Sequence, residues 1–177
     1  ATLHRWVHAL WSAAGSNPRE AQLTADEFRW EMAHIKSTSL LGAVLARQIS
    51  AQAGAAETIL FRHGFLSEAS ACNVWLVKNG RLMGPPKDHL VLAGIRFAVL
   101  EHLSEQLGLP FELRPIAREE LLTADELLLS SASKEVLPIT QLDGQPVGNG
   151  RPGPIYEHLY AAYQALKRQS ALGQAAF

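Results

Sequence analysis

One stretch limits the fold more than any other: AETILFRHGFLSEASACNVWLVKNGRLMGPP, residues 56–86. Residues 58–61 and 73–77 are apolar and partly β-branched, which favours strands. His63-Gly64 is a turn, and Asn79-Gly80 is a strong hairpin signal. Residues 81–83 supply the returning strand, and Pro85-Pro86 closes the unit. Strands joined by tight turns pair antiparallel, so an all-helical fold is excluded.

Helical patterns flank this unit. From Ser37 onward Leu40, Leu41, Val44, Leu45 and Ile49 fall on one face of a helix ending near Gly54. Gly94 opens a second helix, IRFAVLEHLSEQLG, with Ile95, Val99, Leu103 and Leu107 as its expected buried face. PFELRPI reads as a strand, 117–122 as a short helix, and 126–129 as a strand before the small run SSAS. Residues 135–142 read as one more strand, with Asp143-Gly144 as a hairpin turn. Pro154 suits the first turn of a last helix, which runs to about Lys167 before a frayed tail.

Residues 24–177 therefore predict one α/β domain, a mixed or antiparallel, barrel-like sheet with helices packed on it. Thr24 and Glu27 fit a capping box that would start a short helix or turn. Residues 1–23 are a separate N-terminal segment, a remnant or linker. There Leu3, Trp6, Val7, Leu10 and Trp11 recur at helical spacing, a stripe that would dock on another surface.

Composition narrows the function. Of 177 residues 47% are hydrophobic and 19% charged, and the formal net charge is −1. Such a chain folds, and its charge gives no general case for nucleic acid or an anionic membrane. No apolar run reaches a membrane span, and the N-terminus lacks the pattern of a signal peptide. Cys72 is the only cysteine, so no intrachain disulfide forms, and a cytoplasmic setting is expected. Cys72 itself reads as a small buried residue.

The common catalytic signatures are missing. The seven histidines are scattered without a ligand cluster, so no metal site is expected. There is no GxSxG, Walker loop or GxGxxG, and GQPVGNG reads as a turn. That leaves Lys36, which stands just before a helix in FRWEMAHIKSTSLLGAVLARQ. By spacing alone it is a surface lysine.

Its company suggests otherwise. The segment resembles the lysine segment of the fold-type IV pyridoxal-phosphate enzymes, most of all the D-amino-acid aminotransferases. Arg29-Trp30, Ile35-Lys36-Ser37 and Leu40-Leu41 match, while His34 stands where an aspartate is usual. Downstream, Glu68 followed five residues later by Asn73, the Gly94-Ile95 helix start, and the run from 124 to 155 resemble further family segments in the same order. The likeness covers about residues 24–166 and implies the family's C-terminal cofactor domain.

The resemblance implies roles for particular residues. Lys36 would form a Schiff base with pyridoxal 5'-phosphate, then carry a proton as a free amine. Glu68 would face the pyridine nitrogen and keep it protonated. Asn73 would help order that side of the ring. Gly94, Ile95 and Arg96 would meet the phosphate through backbone N–H groups at a helix N-terminus. Ser131, Ala132 and Ser133 would form the small turn on the phosphate and carboxylate side. Ala132 replaces a threonine hydroxyl, and Ala71 and Cys72 replace serines.

The reaction implied is amino transfer between an amino acid, of the D-alanine type, and a 2-oxo acid. The family's homodimer is expected. A branched-chain aminotransferase, an aminodeoxychorismate lyase and a truncated, non-catalytic domain of this fold are the alternatives. Family members carry an N-terminal domain of about a hundred residues before the lysine segment, and residues 1–23 do not resemble it. The domain alone would expose an interdomain face, which Trp6 and Trp11 are candidates to cover in part.

Overall fold

The computed structural model describes residues 21–27, 29 and 31–171. The tryptophan stripe of residues 1–20, Trp30 and the end of the tail lie outside the described residues. Strand β1 (Ala21–Asp26) is followed by helix α1 (Leu41–Gln52) and four strands, β2 (Glu57–Arg62), β3 (Phe65–Ala69), β4 (Asn73–Lys78) and β5 (Arg81–Gly84). Then come α2 (Ile95–Gln106), β6 (Phe111–Leu113), α3 (Arg118–Leu122) and β7 (Glu126–Ser131). The chain finishes with β8 (Glu135–Ile139), β9 (Gln141–Leu142), β10 (Gln145–Pro146) and α4 (Pro154–Ala171).

The α/β class stands, with two open five-stranded sheets where a barrel-like sheet was expected. Their orders are β10-β9-β1-β2-β3 and β6-β5-β4-β7-β8. Both are mixed: β1 runs parallel to β2 and β9, and β5 runs parallel to β6. Residues 135–142 do not make one strand. The chain pairs with β7 as far as Ile139, then changes sheet and pairs with β1 from Gln141.

Strand β4 explains the layering. Val74 and Leu76 join a core shared with Ile59, Phe61, Leu127 and Leu129, so they bridge the two sheets. Trp75 and Val77 point the other way, into a second core with Phe97, Leu100, Leu159 and Tyr163 of the helices. The second sheet is thus a middle layer buried on both faces, which fits the unbroken apolar run of β4. Both hairpin turns form as expected, with positive φ at Asn79-Gly80 and Asp143-Gly144.

Three expectations are corrected. Thr24 does not cap a helix: it lies in β1, and its backbone N–H and hydroxyl both donate to the Asp143 carboxylate. Helix α1 starts at Leu41, not Ser37, and its leucine stripe faces outward. Leu41 is 70% exposed and Val44 57%, whereas Ala46 and Ser50 are buried. The small face packs because Thr58 Oγ1 donates to Ala46 O at 2.6 Å, drawing α1 against β2. In α2, Val99 and Leu103 are buried as expected, but Ile95 and Leu107 are exposed. Steps of four residues drift around a helix of 3.6 residues per turn, and the buried stripe follows Phe97, Leu100 and Leu103 instead.

Among the described residues no helix is long and apolar enough to cross a membrane.

Candidate cofactor site

The site builds up from the end of β3 and the start of β4. A bend after Ala69 brings the chain back, so Glu68 and Asn73 lie side by side, both 5% exposed. Glu68 Oε1 accepts from Arg29 Nη1 at 2.9 Å. Its Oε2 accepts from the Leu92 backbone N–H at 3.2 Å and, more weakly, from Asn73 Nδ2 at 3.4 Å. Asn73 Nδ2 also donates to Leu92 O at 2.8 Å. The loop before α2 is therefore tied to both side chains.

Burial pushes the Glu68 carboxyl up to about 7, although the Arg29 charge and the Leu92 N–H pull against it. Burial also works against the Arg29 cation, but Glu27 and Glu68 outweigh it and leave the Arg29 pKa raised. Arg29 is flanked on its other side by Glu27, which also accepts from Ser67 Oγ.

Helix α2 begins beside this group. Gly94 precedes the helix with an extended backbone, φ −65° and ψ 160°. A Cβ there would lie 2.8 Å from Asn73 Oδ1, so the close approach needs glycine. The first-turn N–H groups of Ile95 and Arg96 have no partner inside the helix. Their side chains point elsewhere: Ile95 is exposed, and the Arg96 guanidinium sits over the Tyr163 ring at 5.2 Å.

The serine run splits. Ser131 ends β7, one step beyond Ser130, which pairs with Asn73. Ser131 Oγ accepts from the Lys134 N–H at 3.0 Å, which closes an exposed turn of Ala132 and Ser133. Beneath the turn, buried Glu57 holds Lys134 Nζ and Arg47 Nη1, each at 2.6 Å, and accepts from Ser70. Cys72 joins this cluster, and burial, reinforced by Glu57, pushes its thiol up to about 11. A thiol so protonated is no nucleophile, in line with the reading from sequence.

Lys36 lies on the exposed loop before α1 and, among the described residues, makes no hydrogen bond or ion pair. Its loop is moored by His34, whose backbone N–H and Nδ1 both contact His89 O, at 3.2 and 3.1 Å. His89 belongs to the same loop as Leu92. Glu68, Asn73 and Gly94 are thus brought together, Ser131 lies one residue beyond Asn73's strand partner Ser130, and Lys36 has no hydrogen bond or ion pair to any of them among the described residues, its loop being tied to theirs only by the His34–His89 contact. Sequence reasoning gave no role to Arg29, although its motif was noticed, or to the Leu92 backbone, which leaves no side-chain signal.

A cleft of about 340 Å³ opens beside Glu27, lined also by Asp26, Phe61, Arg62 and His63. None of the expected site residues lines it. Among the described residues no cluster could hold a metal ion.

Residues 4–142 match the family model described as amino-transferase class IV. A D-alanine aminotransferase of Bacillus licheniformis is 38% identical over 142 residues, 80% of this chain and 50% of that protein. Its counterpart in Staphylococcus aureus is 34% identical over the same coverage. Among solved structures, the branched-chain aminotransferase of Thermobaculum terrenum in its PLP form superposes with a TM-score of 0.79, at 26% identity, over 88% of this chain and 52% of that one. The Escherichia coli branched-chain enzyme gives 0.76 at 28% identity, over 82% and 50%. The chain spans about half the length of the curated relatives it matches.

The residues present fit pyridoxal phosphate. A buried carboxylate with fixed partners suits a protonated ring nitrogen, and the helix start beside it offers N–H groups to a phosphate. By its family match and its fold, this chain belongs to the class IV aminotransferases, which depend on pyridoxal phosphate.

Proposed function

We propose that this chain is the cofactor-holding half of an aminotransferase that moves an amino group between a D-amino acid of the alanine type and a 2-oxo acid, with Lys36 as the cofactor-bearing lysine. The observation that carries the reading is the buried Glu68 carboxylate, fixed by Arg29, the Leu92 N–H and Asn73. Such a carboxylate is costly to bury without a purpose for its charge.

Pyridoxal phosphate, when bound, supplies an electron sink that loosens the substrate's α-proton. The chain's residues do the rest. Glu68 presents negative charge to the ring nitrogen, and Asn73 holds Glu68 and the loop at Leu92 in register. The N–H groups of Gly94, Ile95 and Arg96 and the turn of Ser131, Ala132 and Ser133 receive the phosphate. Lys36 Nζ, once freed from the cofactor, would take the proton from the substrate α-carbon and deliver it to the cofactor's C4′ carbon.

The donor class rests on identity: 38% and 34% to D-alanine aminotransferases, against 26–28% to the branched-chain enzymes. The outward leucine stripe of α1 supports a further body against this domain, and we assign it to the half that the longer relatives possess and to a homodimer. Residues 24–177 form the cofactor domain, with β1 reaching back to Ala21. A cytoplasmic setting agrees with the single buried thiol.

The test mixes the chain with pyridoxal phosphate, reduces with borohydride, and locates the label by mass spectrometry. The label is expected on Lys36 and absent from Lys36→Ala. No label, or equal labelling of Lys36→Ala, overturns the assignment. With a labelled chain, D-alanine against L-leucine as donor separates the D-amino-acid reading from the branched-chain one.

A further inference from the structure

The geometry points to Arg29 as a positioning residue that holds the Glu68 carboxylate in place for the cofactor's ring nitrogen and favours its charged form. The inference rests on the role given to Glu68 above. Arg29 does not come from the elements that build the site. It lies between β1 and the lysine loop, in the same segment as Lys36, and reaches Glu68 at 2.9 Å with Nη1.

Several features fix it there. Glu27 takes its Nε, and Ser67, the neighbour of Glu68, donates to the same Glu27 carboxylate. Helix α1 closes over the stem: a Cβ on Gly42 would lie 2.7 Å from Arg29 Cγ, so glycine at 42 makes room for the arginine. The side chain is only 12% exposed, which limits screening of its charge by water. Its Nη2 is buried and has no hydrogen-bond partner among the described residues, so the guanidinium keeps one donor in reserve beside Glu68.

The groups facing Glu68 are few. Arg29 and the Leu92 N–H favour its charge, the Asn73 amide adds a weak bond, and Glu27 opposes it from beyond Arg29. Burial alone pushes hard toward the neutral acid. Among the described residues the arginine is the one cation set against it, and it holds the carboxyl's midpoint at about 7. A neutral Glu68 would not keep a pyridine nitrogen protonated.

The test reads Glu68 directly in the cofactor-free chain, so it does not depend on Lys36 taking the cofactor. Infrared carboxyl bands are followed against pH, with Glu68→Gln as the blank that identifies the Glu68 band. The Glu68 midpoint is expected to rise by about one pH unit or more in Arg29→Gln, and to return most of the way in Arg29→Lys. An unchanged midpoint in a folded Arg29→Gln overturns the proposal. Should Arg29→Gln fail to fold, the triple variant Arg29→Gln/Glu27→Gln/Glu68→Gln decides. Removing the unpaired Glu68 carboxylate, with Glu27→Gln added so that the other carboxylate Arg29 pairs with is neutral too, is expected to restore folding, and a triple variant that stays unfolded while Glu27→Gln/Glu68→Gln folds overturns the proposal. If Lys36 takes no cofactor while the Glu68 midpoint still follows Arg29, the functional reading fails and the Arg29–Glu68 coupling stands.

Discussion

Asn73 and Gly94 meet with no room for a side chain between them: a Cβ on residue 94 would lie 2.8 Å from Asn73 Oδ1. The contact joins the carboxylate side of the site to the helix start, because Asn73 also bonds Leu92 O. Gly94→Ala tests it cleanly. The backbone at 94, with φ −65° and ψ 160°, suits alanine, so the only conflict is with Asn73. The new methyl must push the amide aside and loosen its bonds to Leu92 and Glu68. Pyridoxal-phosphate affinity is expected to fall about tenfold, equivalent to ~1.4 kcal/mol. The urea midpoint should move little. Fluorescence titration of wild type and variant measures this, and equal affinities would refute the coupling.

Much of the fold was legible in the sequence because turn chemistry is local. Asn79-Gly80 and Asp143-Gly144 adopt positive φ for reasons written in those residues alone. Faces were less legible. The leucines of α1 mark an apolar stripe, but periodicity cannot say which body it meets, and here Ala46 and Ser50 take the inward place. The site shows the same division. Glu68, Asn73 and Gly94 were recognisable as a motif. Leu92 was not, since it acts through its backbone, and Arg29 was not, since its role depends on a fold that brings residue 29 to residue 68. His34, odd as a motif letter, has a physical place as the anchor on His89 O.

Glu68 should also leave a mark on stability. Its folded midpoint, about 7, lies above the ordinary carboxyl value of 4.5. Between those values the folded chain holds a proton that the unfolded chain has released. Stability of the cofactor-free chain therefore declines as pH rises from about 4.5 to 7, as far as this group is concerned, and levels off above. Glu68→Gln mimics the protonated form and removes that decline. Urea unfolding at pH 5 and pH 8 is expected to show the variant gaining on wild type at the higher pH. A stability difference that stays constant between the two pH values would count against the raised midpoint.

Glu126 anchors the last helix from outside it. At the start of β7, 8% exposed, it turns its carboxylate to the first turn of α4. Oε1 accepts from the Ile155 N–H at 2.9 Å and Oε2 from the Tyr156 N–H at 2.8 Å. The approach is so close that a Cβ on Gly153 would fall 2.2 Å from Glu126 Cδ. Two N–H groups that the helix cannot satisfy internally are thus paired with a negative charge at the positive end of the helix dipole. Because Leu159 and Tyr163 of α4 complete the second core, loosening this end is felt by the sheet. Glu126→Ala is expected to cost about 2 kcal/mol, in the upper range for a lost N-terminal cap. Glu126→Gln, which keeps one acceptor oxygen but no charge, should cost about half as much. Glu157→Gln changes an acidic residue in the same first turn whose side chain faces solvent, and it should stay within about 0.5 kcal/mol of wild type. Urea unfolding followed by circular dichroism gives all three values. If Glu126→Ala and Glu157→Gln prove equally mild, the carboxylate does not hold α4 to the sheet.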